Sequence, residues 1–202
     1  MNSLTPRFCG LAVALAMLAP VAQAIPDANG AVTSTPAPDI SADGAMAARL
    51  NYNMGFERFE KTQALEATSP TSPEIRKGYA EARERFRAAA AADSNMKEAW
   101  NLVGYTSRRL GDYEASLQAY DAALKLQRDY PEAIEYRAEL FLLTGRLDDA
   151  RAAYAELSKS SPSYAGTLLQ SMRDVLASGK LPASVSADQR AAFAAWVKAQ
   201  PL

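Results

Sequence analysis

The stretch Trp100-Asn101-Leu102-Val103-Gly104, followed by Gly111-Asp112-Tyr113 and then by Tyr120, Ala123 and Leu124, decides the fold, because its residues return 34 positions later. Trp100 recurs as Ile134, Gly104 as Ala138, Gly111 as Gly145, Tyr113 as Leu147, Tyr120 as Tyr154 and Ala123 as Leu157. Stepping the other way, Tyr113, Tyr120 and Ala123 fall on Tyr79, Phe86 and Ala89. Two antiparallel helices approach closely only where one offers a small residue and the other a bulky one. Gly104 and Ala138 therefore read as the small faces of first helices. Trp100 and Ile134, one turn earlier, fill the space between helix pairs. Tyr79 with Phe86, Tyr113 with Tyr120, and Leu147 with Tyr154 read as the bulky pairs of second helices. Ala82, Ser116 and Ala150 are the small residues there, and Ala89 and Ala123 leave room for the next unit. Gly111 and Gly145 fall where a left-handed residue ends a helix. Asp112 and the pair Asp148-Asp149 open the following helix at its positive end.

Outward from this stretch the pattern holds its helical character. From Met46 onward the segments are rich in Ala, Leu, Glu and Arg and lack the alternation that strands require. The first unit departs from the repeat: Leu50, Tyr52, Met54-Gly55-Phe56 and Phe59 suit a first helix, but Gly55 lies 22 residues before the turn slot at Lys77, against 7 from Gly104 to Gly111. The extra residues, Thr62 to Arg76, predict a helix lengthened to about Ala67 and then a turn over Ser69-Pro70-Thr71-Ser72-Pro73. Beyond Pro162, residues Leu168, Leu169, Met172, Val175 and Leu176 form one apolar helical face, as a capping helix would. Gly179 and Pro182 break it, and Ser186-Ala187-Asp188-Gln189 is a capping box that opens a last helix carrying Phe193, Trp196 and Val197. That helix either covers the cap or docks on a partner.

The 34-residue period and these slots resemble the tetratricopeptide repeat. The whole is similar to short exported repeat proteins of this kind from Gram-negative bacteria, most of which have no known biochemical activity. The resemblance implies an all-α, TPR-like α-solenoid of antiparallel helix pairs with C-terminal capping helices. Its repeats would cover residues 46–162, as an interrupted unit at about 46–95 and regular units at 97–130 and 131–162, with capping helices in 163–202. In this family the first helices line a concave face that holds an extended peptide or a helix. The inward slots carry over to Asn101, Tyr105, Arg108 and Arg109 in the second unit and to Glu135, Glu139 and Leu142 in the third, with Tyr52 and Phe56 extending the surface in the first. These are the expected partner-binding residues, and solvated helix faces are the competing account of them. A clamp for a C-terminal carboxylate is not expected, because the third unit offers glutamates where a cation is needed. Adjacent arginines also point about 100° apart on a helix.

Composition narrows the chemistry. Arg7, the apolar run Phe8 to Val21, and Ala22-Gln23-Ala24 have the layout of a secretory signal peptide, residues 1–24, with cleavage after Ala24. The run is shorter than the about 20 residues a spanning helix needs, so a retained anchor is the minority reading and no membrane insertion is expected after cleavage. The protein is then periplasmic or secreted. Residues 25–45, with Pro26, Gly30, Pro36 and Pro38, read as a disordered linker. Cys9 is the one cysteine and leaves with the signal, and histidine is absent. Disulfides, Cys/His metal sites and Ser–His or Cys–His nucleophile pairs are thereby excluded from the mature chain. No catalytic residue, metal or cofactor is expected, and the chain does not read as an enzyme. With 22 basic and 23 acidic side chains nothing recruits nucleic acid. Arg76-Lys77, Arg83, Arg85 and Arg87 alternate with Glu74, Glu81 and Glu84, and Glu81 and Arg85 are spaced to pair at i,i+4. Asp148-Asp149 is explained by its place at a helix start. The expected function is an exported protein–protein interaction module, a scaffold, adaptor or assembly factor that binds a peptide or helix of another protein. The alternatives are a self-assembling repeat that forms homo-oligomers and an accessory subunit of an envelope enzyme complex.

Overall fold

Two left-handed glycines fix the turns of the repeat. Gly111 and Gly145 have φ of 83° and 77°, and each closes a first helix with its N–H on the carbonyl three residues back. The structure is a computed structural model and describes residues 40–201, with side chains from 43 onward. The expected signal segment 1–24, and the linker up to residue 39, lie outside the described residues. Eight helices and no strand occur among the described residues: α1 (Ile40–Thr68), α2 (Glu74–Ala92), α3 (Lys97–Leu110), α4 (Tyr113–Leu126), α5 (Pro131–Thr144), α6 (Leu147–Ser160), α7 (Pro162–Ala177) and α8 (Ala187–Ala199). No helix among them is long and apolar enough to cross a membrane. Pro131 and Pro162 stand at the first helical position of α5 and α7, where the missing N–H costs nothing.

Each helix packs on the next, and α3 meets α5 while α5 meets α7. The odd-numbered helices thus form one layer and the even-numbered ones the other, the all-α solenoid the sequence predicts. Small-on-bulky contacts hold the pairs. A Cβ added to Gly104 would lie 2.5 Å from the Tyr120 ring, and one added to Gly55 would lie 2.9 Å from the Phe86 ring. Ser116, the small slot of α4, is fully buried and donates to the Gly104 carbonyl at 2.8 Å. One apolar cluster joins α1 to α4 through Phe59, Tyr79, Phe86 and Val103. A second joins α4 to α8 through Ile134, Tyr154, Leu168 and Phe193. Trp100 packs against both, as its slot between pairs requires.

Two local expectations are corrected. Helix α1 starts at Ile40, inside the stretch 25–45 read as linker. The cause is α2, which runs back far enough that Ala92 O would lie 3.2 Å from a Cβ on Gly44, giving the first turns of α1 a partner. Glu81 and Arg85 do not pair: Glu81 bonds Arg58 of α1 at 2.7 Å and Arg85 donates to Asn51 at 3.3 Å. Inter-helix partners were closer than the i,i+4 neighbour. As expected, Asp112 caps α4 through Ala115 N–H at 3.3 Å, and Asp148 and Asp149 open α6 in its first turn, paired to Arg151 and Arg146. The extended α1, the Ser69–Pro73 turn and the Ser186–Gln189 capping box form as the sequence predicts, the box with bonds of 3.2 and 2.9 Å. The last helix turns inward: Phe193 is fully buried and Trp196 meets Tyr154 edge-on, so α8 covers the cap.

Candidate partner-binding face

The face is built by the layer of first helices, and each expected residue has a definite place in it. On α1, Tyr52 and Phe56 are half-buried and stacked, with ring centroids 6.0 Å apart. Burial, with the Glu98 carboxylate beside it, pushes the Tyr52 hydroxyl up to about 12, so it stays a neutral donor. On α3, Tyr105 is 7 % exposed and sits among Phe59, Tyr79 and Tyr136, with Phe59 and Tyr136 both 5.1 Å away. Its hydroxyl accepts from Gln63 at 3.3 Å. Tyr105 is therefore part of the packing rather than an open anchor, because α1 lays Phe59 over it and its extra turns add Gln63.

The two arginines go to different carboxylates. Arg108 pairs with Glu139 of α5 at 2.6 Å, and Arg109 pairs with Glu66 of α1, which also accepts from the Tyr79 hydroxyl at 2.7 Å. Burial works against the Arg108 charge, but Glu139 and the Tyr120 and Tyr105 oxygens outweigh it and hold the guanidinium firmly protonated. The expected run of basic then acidic side chains is in large part paired across the helices.

On α5 the three expected residues separate. Leu142 is 3 % exposed and belongs to the apolar cluster with α7, so it is corrected to a core residue; α7 packs where a further groove wall was expected. Glu139 keeps an edge to solvent, bonded by Arg108 and by Ser171 of α7 at 2.7 Å. Glu135 is 2 % exposed, and Asn101, its counterpart one unit earlier, is 3 % exposed. Burial, then the neighbouring Glu139, push the Glu135 carboxyl well above the usual range; Arg108 opposes this and Glu132 adds to it. The structure thus brings Arg108, Glu135 and Glu139 together, stacks Tyr52 and Phe56 on each other along α1, and takes Tyr105 and Leu142 into the interior.

Sequence reading missed Gln63, Glu66, Glu132, Tyr136 and Ser171. Glu132 was within reach, since it falls 34 positions after Glu98. Gln63 and Glu66 lie in the extra turns of α1, which align with nothing in the other units.

Comparison with known families falls on this framework. No curated protein matches the chain. The tetratricopeptide repeat family model matches twice, at residues 76–131, which run from α2 through α4 to the start of α5, and at 107–165, which run from the end of α3 into α7. Over residues 76–165 the helix pairs are thus similar to tetratricopeptide repeats.

Proposed function

We propose that this chain is an exported interaction module that holds a peptide or helix of another protein on the face of its first helices. Stacked repeats of this family suggest protein binding rather than chemistry. The observation that carries the reading is the composition of the α1–α3–α5 face: half-buried aromatic rings at Tyr52 and Phe56 on α1 and the Arg108–Glu139 pair across α3 and α5, the mixture of residue types that contributes most at interfaces. In vivo crosslinking and capture with the native chain, compared with a Tyr52→Ala, Phe56→Ala, Glu139→Ala variant of unchanged helicity, tests it. Loss of the captured protein is expected; undiminished capture would discard the face assignment. Export rests on the Arg7, Phe8–Val21 and Ala22-Gln23-Ala24 pattern. N-terminal sequencing of the protein from the cell envelope should begin at Ile25, and an intact Met1 would overturn cleavage.

Self-association is the second reading, supported by one observation. Met46, Leu50 and Met54 line up at i, i+4 and i+8 on the outer end of α1 and are 68 %, 59 % and 41 % exposed. Light scattering at micromolar concentration decides it, a monomer being the result that removes it.

A further inference from the structure

An open cavity of about 530 Å³ lies between the start of α2 and the turn from α3 to α4. Its charged lining is Arg76, Lys77 and Arg83 from α2, with Asp112 opposite, and Pro73, Ala80 and Leu110 supply the apolar remainder. It shares no residue with the first-helix face. In sequence these cations alternate with Glu74, Glu81 and Glu84, but none of the three glutamates lines the cavity. Glu81 is turned to Arg58 of α1 at 2.7 Å, Glu84 pairs with Arg87 at 3.5 Å, and Glu74 meets Lys77 only at 3.8 Å, with both side chains exposed. The cavity thus holds three positive charges against one negative charge, in a chain whose net charge is −1.

Two observations set these cations apart from an ordinary solvated helix face. First, their donors are not used up. Arg76 joins no ion pair among the described residues and donates to the Leu110 carbonyl at 3.3 Å. Arg83 gives Asp112 one Nη1 bond at 3.3 Å, while its Nε is buried without an acceptor, the Glu84 carboxylate standing 4.0 Å away. A guanidinium carries five donors, and a buried one left unpaired is costly. Second, the repeat does not ask for these residues. One period on, the slots of Arg76, Lys77 and Arg83 hold Leu110, Gly111 and Leu117, and the slot of Asp112 holds Arg146. The same helix packing therefore forms there without the cations.

Such donors call for acceptors, and the spacing states how these are arranged. Arg76 and Arg83 are seven positions apart on one helix, about 10 Å along its axis. A run of carboxylates on an extended chain matches that spread better than a single oxyanion does. No aromatic ring lines the cavity for a base to stack on, and Asp112 stands among the cations, so a nucleic acid strand fits poorly. We infer that this cavity receives an acidic segment of a partner protein, with its carboxylates on Arg76, Lys77 and Arg83 and small apolar side chains against Ala80 and Leu110. It is a second surface, and it stands whether or not the first-helix face binds.

The test uses the full chain and acetylated, amidated heptapeptides that alternate alanine with glutamate or alanine with lysine. Calorimetric titration is expected to show binding of the glutamate peptide alone, weakened by added salt. Arg76→Gln with Lys77→Gln should weaken it about tenfold, while Lys125→Gln with Lys159→Gln, which removes the same charge elsewhere, should leave it unchanged. Asp112→Asn keeps a good N-cap for α4 and removes the one carboxylate in the cavity, so it should tighten binding about threefold or more. A variant that merely unfolds cannot produce that gain. In nitrogen-15 spectra the Arg83 Nε–H signal should shift as the peptide is added. Inorganic phosphate and a short oligothymidylate, at matched ionic strength, should bind more weakly than the glutamate peptide. No binding of the glutamate peptide, equal binding of the lysine peptide, undiminished affinity in the Arg76, Lys77 variant, no gain in Asp112→Asn, an unmoved Arg83 signal, or tighter binding of phosphate or the oligonucleotide overturns the inference. The Tyr52, Phe56, Glu139 variant should bind the glutamate peptide as the native chain does. Loss of peptide binding in that variant would also overturn the inference, by placing the peptide on the first-helix face.

Discussion

At the scale of single residues, the strongest constraint is the space beside Gly104. A methyl there would meet the Tyr120 ring at 2.5 Å, and Tyr120 is fully buried and cannot swing away. Gly104→Ala should therefore destabilise by about 1–3 kcal/mol despite the better helix propensity of alanine. Urea unfolding measures it, and a neutral or stabilising result would remove the close approach that defines the repeat. This contact was legible in the sequence, because the period pairs a small slot with a bulky one. The fate of Leu142 was not: an inward slot becomes core when a further helix, α7, lies on it, and the repeat alone does not show where the stack is capped. Glu135 supplies a second prediction at this scale. A carboxyl whose folded value is raised binds a proton in the folded state that the unfolded chain releases, so stability falls as pH rises above the ordinary carboxylate value toward the raised one. Glu135→Gln removes that slope. The variant should match the native chain near pH 4 and exceed it in stability near pH 7. Thermal unfolding across that range reads the difference, and a less stable variant at pH 7 would mean that the carboxylate is ionised and held in place.

At the scale of elements, α1 departs most from the regular unit, and its extra turns decide how open the first-helix face is. The sequence placed the helix end near Ala67 correctly, because Pro70 and Pro73 cannot continue it. The start at Ile40 was hidden, because it depends on how far the end of α2, at Ala92, reaches back along α1. The contacts of the extra turns were hidden because Gln63 and Glu66 have no equivalents in the other units to reveal their direction. Glu66 receives both Arg109 and the Tyr79 hydroxyl, and Tyr79 is 1 % exposed. Glu66→Ala should leave that hydroxyl without its acceptor and loosen the end of α1 over α3. A cost of about 1–3 kcal/mol is expected in urea unfolding, from the unsatisfied donors. Amide exchange in residues 60–68 should accelerate, while exchange in α7 and α8 stays unchanged. Uniform acceleration along the chain would show that the extra turns are not a local attachment.

At the scale of the molecule, each helix leans on its sequence neighbours, so stability should be distributed along a line rather than gathered at one centre. The apolar interior divides accordingly into an α1–α4 cluster, an α4–α8 cluster and a small one of Ala89, Ala90 and Ala99, and Trp100 packs against all three. The sequence conveyed this division through its period. It left open whether the last helix serves the fold or a partner, since an amphipathic face looks the same in either case. Phe193, Val197, Leu181 and Val185, all within 6 % of complete burial, settle that point for the fold. Deleting residues 178–202 should therefore expose the sockets these side chains fill, each worth about 1.5–3 kcal/mol when fully buried. The midpoint of thermal unfolding is expected to fall by on the order of 10 °C or more. The truncated chain should also self-associate in light scattering, because an uncapped repeat end presents an apolar surface. Amide exchange in α1 and α2 should stay slow, since neither helix touches the deleted segment. A truncated chain that melts at the native temperature would show α8 to be an appendage, and loss of protection in α1 and α2 would show that the two clusters fold as one unit.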